Sequence, residues 1–232
     1  MFMKKKKVVV LTGAGISAES GIKTFRDADG LWEGHDVMAV ASPQGWKRDK
    51  ELVLEFYNQR RAQLQEVEPN PAHYALAELE KAYEVHIITQ NVDDLHERGG
   101  SSKVLHLHGE LKKVRSTLDP QLVYERETAI VLGDTCEKGS QLRPHIVWFG
   151  EDVPLIGKAV EIAQEADIFI IIGTSMQVYP AAGLVNVVDY DADKYFIDPR
   201  PAAVEVPNLR VMEENASTGV PALVKKLLAA VE

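Results

Sequence analysis

Four short clusters carry the chemically useful residues of this 232-residue chain. The first, Gly13-Ala14-Gly15-Ile16-Ser17-Ala18, is a G-x-G-x-x-A that directly follows the apolar run Lys7–Thr12. Glycine at these positions permits a tight turn and close approach of the backbone to a pyrophosphate, and the N–H groups of a helix start then face the phosphates. Alone the pattern is weak, because glycine-rich turns also serve strand-to-helix geometry. Its strand–turn–helix setting favours a nucleotide. Further on, Arg26 either reaches a phosphate or ribose or forms a surface ion pair. The second cluster, Thr89-Gln90-Asn91-Val92-Asp93-Asp94-Leu95-His96, follows the strand Val85–Ile88. It crowds amide donors and carboxylate acceptors at the edge where open α/β sheets bind ligands. A helix N-cap accounts for one of these residues but not for all.

The third cluster is His106-Leu107-His108-Gly109. Two histidines at i, i+2 on a strand share a face, which would suit a metal pair, but no third or fourth ligand is spaced nearby. One histidine beside a glycine at a strand end suits a general base; a hydrogen-bonded structural histidine is the plain alternative. The fourth cluster, Gly173-Thr174-Ser175, is followed by Val178-Tyr179-Pro180. It offers a close-approach backbone and two hydroxyls for ribose or phosphate. Asp198, at the end of a short strand, is an acceptor for ribose hydroxyls.

The elements that must position these clusters alternate. Lys7–Thr12, Val85–Gln90, Val104–His108, Ile146–Phe149 and Asp167–Gly173 read as strands, with Tyr195–Asp198 and Leu209–Met212 as shorter ones. Several are continuously apolar, as parallel strands covered on both faces should be. Helical patterns lie at Lys50–Glu66 (with Leu52, Phe56, Gln59/Arg60 and Gln63 along one side), Pro71–Ala82, Leu155–Ala166, Ala181–Asp189 and Val220–Val231. The alternation predicts a single α/β domain over residues 1–232, a Rossmann-like doubly wound parallel sheet. Two stretches interrupt it. Residues 27–66 and the polar, loop-like 110–142 are read as insertions that form a small lobe, with a cleft between lobe and sheet.

Composition narrows the class. Hydrophobic residues are 45% and charged residues 26%, as in globular rather than disordered chains. With 35 acidic against 26 basic residues the net charge is −9, which argues against nucleic-acid binding. The single cysteine, Cys136, excludes an intramolecular disulfide and points to a reducing, cytoplasmic setting. The lysine run 4–7 before Val8–Leu11 mimics a signal peptide, but the apolar run is too short; no stretch reaches 18 apolar residues, so no membrane partner is expected.

Taken together and in this order, GAGISAESGIKTFR (13–26), TQNVDDLH (89–96), HLHGE (106–110), PHIVWFGE (144–151) and GTSMQVYPAA (173–182) resemble the sirtuin family of NAD-dependent protein deacylases, most nearly its bacterial CobB-like, class III branch. The resemblance implies NAD and an acyl-lysine protein segment meeting in the cleft and leaves the oligomeric state open; with a single cysteine in the chain, no zinc is expected. It assigns His108 as general base and Asn91 and Asp93 as residues that orient the nicotinamide ribose and carboxamide. It places Gly13, Ala14, Gly15, Glu19, Phe25, Arg26, Trp32, Gln90, Val92, Gly173, Thr174, Ser175, Asp198, Pro199, Arg200 and Ala216 on the cofactor. Phe149, Gly150, Glu151 and Val178 would flank the substrate peptide, which lies as an added strand. In the class III branch an alanine in an Ala-Thr-Pro stretch opens the acyl pocket and a Tyr-x-x-Arg grips a carboxylate; Ala41 stands in Ala41-Ser42-Pro43, and Tyr57 and Arg60 share one helical face. Succinyl-lysine joins acetyl-lysine as an expected substrate.

Three departures qualify the match. The lobe has Ser116 where the first of four zinc-binding cysteines would stand, so the usual zinc site reads as lost, with Leu118, Leu122, Tyr124, Ile130 and Leu132 as candidates to pack in its place. Lys23 replaces a common Pro, and Asp198 a common Asn, which disfavours a 2′-phosphorylated cofactor. An NAD glycohydrolase or ADP-ribosyltransferase, and a non-catalytic NAD-binding protein, are the competing readings.

Overall fold

The computed structural model describes residues 5–23, 31–32 and 34–231. Six parallel strands form the main sheet: β1 (Lys7–Thr12), β4 (Glu84–Thr89), β5 (Val104–His106), β9 (Ile168–Ile172), β10 (Asp193–Ile197) and β11 (Leu209–Met212). Their order is β11-β10-β9-β1-β4-β5. The chain runs outward from β1 in one direction and then returns to the other side of it, so the order reverses between β1 and β9. Ligands bind open α/β sheets in the crevice at such a reversal, outside the carboxyl ends of the strands. The first and fourth sequence clusters leave β1 and β9 at that point.

Period-two alternation sorts the strand residues between two cores. Val8 and Val10 of β1 join one with Leu76, Leu79, Val220 and Leu223; Val9 and Leu11 join the other with Phe169, Ala159, Ala163 and Leu184. The first is covered by α4 (Pro71–Leu79) and α7 (Ala216–Ala229), the second by α6 (Ile156–Gln164) and a 3₁₀ segment, Ala181–Val187. All five residues of β9 are buried, as its unbroken apolar run requires. Helix α4 begins where expected. Asn70 accepts from the Ala72 N–H, His73 Nδ1 accepts from the Asn70 N–H, and Pro71 occupies the first turn.

A third core belongs to the small lobe. It gathers α1 (Val37–Val40), α2 (Pro43–Arg48) and α3 (Lys50–Gln63) against an antiparallel sheet ordered β7-β6-β8, from β6 (Gly109–Ser116), β7 (Val123–Glu125) and β8 (Leu142–Ile146). A two-residue hairpin, β2 (Leu31–Trp32) with β3 (His35–Asp36), precedes α1. Residues 27–30 and 33 of the first expected insertion lie outside the described residues.

The stretch 110–142 is not all loop: β6 and β7 lie within it, with short antiparallel ladders that alternating burial hides in a charged sequence. The strand expected over Ile146–Phe149 ends at Ile146. The buried face of α3 is Val53, Leu54, Phe56, Tyr57 and Arg61 rather than the Leu52–Gln63 stripe. Instead of a helix, Gly13 opens two 3₁₀ turns, Ala14–Ile16 and Ala18–Ser20, ended by Gly21 at φ 98°. Asn70 Nδ2 takes the Ile16 carbonyl at 2.8 Å, which an α-helix would have used. Helix α7 starts four residues earlier than expected, because the Glu19 carboxylate accepts the Ser217 N–H at 3.0 Å and its hydroxyl at 2.6 Å.

In the lobe, Ile130 is buried and Leu122 and Tyr124 pack against the core as expected, but Leu118 and Leu132 are exposed. Hydrogen bonds organise this end of the lobe. Ser116 and Ser140 hydroxyls lie 2.8 Å apart, each 3.3 Å from the Cys136 sulfur. Asn58 bonds the Ile130 backbone at both ends, 2.8 and 2.9 Å.

Candidate active site

The switch point is built by backbone contact. The Gly13 and Gly15 N–H groups donate to the carbonyls of Ile172 and Gly173 at 3.0 and 2.8 Å. A Cβ on Gly15 would sit 2.5 Å from Gly173 Cα, and one on Gly13 2.8 Å from the Gly173 carbonyl oxygen. Only glycine lets these two turns close on each other, which leaves a cradle at the sheet edge. The cleft that opens from it, about 400 Å³, runs between sheet and lobe.

The loop after β4 crosses the floor of this cleft, and its three successive carbonyls are each held. Gln90 O accepts from His108 Nδ1 at 3.1 Å, Asn91 O from His106 Nδ1 at 3.0 Å and Val92 O from the Leu111 N–H at 2.9 Å. The Asn91 N–H donates to Thr89 Oγ1 at 3.0 Å, and that hydroxyl is tied through Thr12 to buried His96. Asn91 Nδ2 donates to Ser17 Oγ, which donates to Asp93 Oδ2, both at 3.1 Å; the Leu95 N–H donates to Asp93 Oδ1. Burial pushes the Asp93 carboxyl up to about 6, although Leu95, Ser17 and the charge on His106 draw it down.

His108 stands in the cleft wall. Because Gln90 O can only accept, Nδ1 must carry the proton, and the neutral ring keeps its basic lone pair on Nε2. Burial lowers its pKa below the usual histidine value, with Gln90 partly opposing, so the ring is in base form at neutral pH. Gly109 follows at φ 85°; a Cβ there would lie 1.9 Å from the His145 carbonyl oxygen. That glycine lets β6 turn directly against β8 and brings residues 147–151 beside His108, the Val147 N–H donating to His108 O at 2.9 Å.

The structure places Gly13, Ala14, Gly15, Glu19, Trp32, Gln90, Asn91, Val92, Asp93, His108, Gly173, Thr174, Ser175, Asp198, Pro199, Arg200 and Ala216 on the cleft wall, together with Ala41, Tyr57, Phe149, Gly150, Glu151 and Val178. Gln90 Nε2 donates to Thr174 Oγ1 at 3.1 Å, joining the β4 and β9 ends. Glu19 is engaged with Ser217, and Glu151 with Arg143 at 2.6 Å, Arg115 at 3.1 Å and the Trp148 N–H, so these two carboxylates brace the wall. Tyr57 is fully buried, its hydroxyl accepting from Trp148 Nε1 at 3.1 Å; burial raises its pKa. Arg60 is not among the described residues that line the cleft; its Cζ lies 4.7 Å over the Phe56 ring. Phe25 and Arg26 lie outside the described residues.

Sequence reasoning missed Ser17, the hydroxyl that joins Asn91 to Asp93, although it stands inside the first glycine motif. It also missed Trp148, whose ring packs between Trp46 and Arg143. The glycine cradle fits a dinucleotide, and Gln90, Thr174, Ser175 and buried Asp198 line the same cleft with polar groups that could meet its ribose hydroxyls. A four-cysteine zinc site does not fit the lobe, where one thiol and two serine hydroxyls bond one another; no group of three or more His, Cys, Asp or Glu side chains able to hold a metal occurs among the described residues. Nor is any helix among them long and apolar enough to cross a membrane.

The model of the Sir2 family matches residues 13–180, a span that holds all four clusters. A Helicobacter pylori (strain ATCC 700392 / 26695) protein named NAD-dependent protein deacylase is 61% identical over 224 residues, 96% of this chain and 98% of its own. Among solved structures, a Sir2 homologue F159A mutant–ADP ribose complex superposes with TM-score 0.89 at 40% identity, covering 97% of this chain and 93% of that one. A Sir2 homologue–NAD complex gives 0.88 at 40% identity over 98% and 91%. The motif order, the reversal of the sheet at a glycine cradle and this identity over nearly the whole length agree: the chain belongs to the Sir2 family.

Proposed function

We propose that the chain is an NAD-dependent protein-lysine deacylase that moves an acyl group from lysine to ADP-ribose and releases nicotinamide. The observation that carries this reading is the convergence in one cleft of a neutral, Nδ1-protonated His108, the Asn91–Ser17–Asp93 chain and the glycine cradle. NAD supplies the electrophilic ribose carbon and the nicotinamide leaving group. Asn91 and Asp93 orient the ribose and carboxamide, and the buried floor excludes water from them. His108 Nε2 takes a proton from a ribose hydroxyl, a role that contributes typically ~10²–10⁴-fold.

The finer assignments rest on the same cleft. Ala41 and Tyr57 line an acyl pocket that accepts acetyl and acidic groups such as succinyl, with Arg60, held 4.7 Å over the Phe56 ring, as the partner for their carboxylate. The partner is an acyl-lysine segment laid as a strand between Phe149–Glu151 and Val178, with no nucleic acid or membrane involved. The enzyme works in the cytoplasm, and its lobe stands without zinc. A peptide assay that follows nicotinamide and acyl-ADP-ribose together tests the reading: NAD loss without an acyl peptide would favour a glycohydrolase, and binding without turnover a non-catalytic protein.

A further inference from the structure

His106 lies outside the chemistry assigned so far. It is 8% exposed, and among the described residues its two ring nitrogens face acceptors only: the Asn91 carbonyl at 3.0 Å from Nδ1 and a Glu97 carboxylate oxygen at 2.8 Å from Nε2. A neutral imidazole has one N–H, so satisfying both acceptors needs both nitrogens protonated. The setting supports the cation. Glu97, Glu110, Asp93 and Asp94 line the small cavity beside it, against Lys112 and Lys113. Burial opposes the charged ring, but Glu97 and the Asn91 carbonyl hold its pKa above the ordinary histidine value.

The position of the ring gives the cation a use. His106 and His108, two apart in the chain, each give a ring N–H to one of two successive carbonyls of the loop that carries Asn91 and Asp93. We propose that His106 is a positioning residue, an imidazolium anchored by Glu97 on α5 (Leu95–Arg98) whose Nδ1–H fixes the Asn91 peptide and so aims Asn91 and Asp93 into the nicotinamide end of the cleft. The role rests on the deacylase reading for its consequence but not for its geometry. The bond to Asn91 is charge-assisted, the stronger class of hydrogen bond.

Two isosteric variants separate the bonds. Asn places an amide where Nδ1 stands; Gln places one where Nε2 stands. His106→Ala should lower kcat/KM for NAD by about tenfold or more, the scale of losing one charge-assisted bond. His106→Asn should recover most of that loss, and His106→Gln, which keeps only the Glu97 contact, should not. In the wild type at pH 7.5, ¹⁵N NMR should show both ring nitrogens of His106 protonated; Glu97→Gln should return the ring to one proton. Equal activity of the Asn and Gln variants, or a singly protonated wild-type ring, overturns the proposal. If the wild type itself shows no NAD-dependent deacylation, the functional reading fails. The NMR arm, and calorimetric NAD affinity ranked wild type, Asn, Gln, then still decide the role of His106.

Discussion

Replacing Asp93 by Asn should make the protein more stable and less active. Asp93 is 5% exposed, and burial raises its carboxyl from 3.8 to about 6. Its charged form is thus penalised in the folded state by roughly 3 kcal/mol at ~1.4 kcal/mol per pH unit. The folded chain binds a proton there that the unfolded chain has released, so stability falls as pH rises from about 4 to about 6 and the whole penalty stands above that range. Asn removes the charge. Its oxygen still accepts from Leu95, but its amide meets Ser17 Oγ, which already accepts from Asn91, and the Ser17 O–H loses its acceptor. That loss returns about 1–2 kcal/mol. The net expectation at pH 7.5 is a gain of about 1–2 kcal/mol, a Tm rise of roughly 2–8 °C for a chain of this size. Deacylation should fall at least ~100-fold, since the oriented carboxylate is gone. Calorimetric melting at pH 3.5, 5 and 7.5 should show the advantage of Asp93→Asn growing with pH. A variant less stable than wild type at pH 7.5, or a difference independent of pH, refutes the reasoning.

Other variants test other parts of the site. Gly15→Ala forces a Cβ to within 2.5 Å of Gly173 Cα, backbone against backbone, so it should cost about 1–3 kcal/mol and abolish NAD binding by calorimetry; unchanged affinity would remove the cradle from the account. Arg60→Met should lower kcat/KM for a succinyl peptide at least ~tenfold with far less effect on acetyl, and Lys there should rescue only partly; an equal fall on both substrates makes Arg60 structural. The lobe should keep its fold and activity after dialysis against a chelator, whereas about one tightly held zinc per chain by elemental analysis would contradict the Ser116–Ser140–Cys136 arrangement.

The parallel sheet was legible because its strands are buried on both faces: Val8–Leu11 and Ile168–Ile172 can be little else once flanked by glycine turns. The cleft was legible because its residues lie where strands end. What stayed hidden depends on contacts between distant segments. The 3₁₀ turns after Gly13 exist because Asn70 takes the Ile16 carbonyl, and α7 starts early because Glu19 caps it; neither partner is near in sequence. The β6–β7 ladder stays hidden because only Leu111 and Val114 give β6 apolar positions among charged ones, and β7 is three residues with both ends exposed. The resemblance points to Tyr57 and Arg60 together; of the two, Tyr57 lies on the cleft wall, its hydroxyl held by Trp148.

On this mechanism, His108 Nε2 drives acyl transfer from lysine to a ribose hydroxyl. Its most direct test is mass spectrometry of wild type and His108→Ala incubated with NAD and acetyl-, succinyl- or unmodified peptide. Wild type should give acyl-ADP-ribose, nicotinamide and free lysine peptide in equal amounts, only with acyl peptides, and a folded His108→Ala should give no acyl-ADP-ribose. Near-wild-type acyl-ADP-ribose from that variant, or NAD consumption by wild type that ignores the acyl peptide, would contradict it.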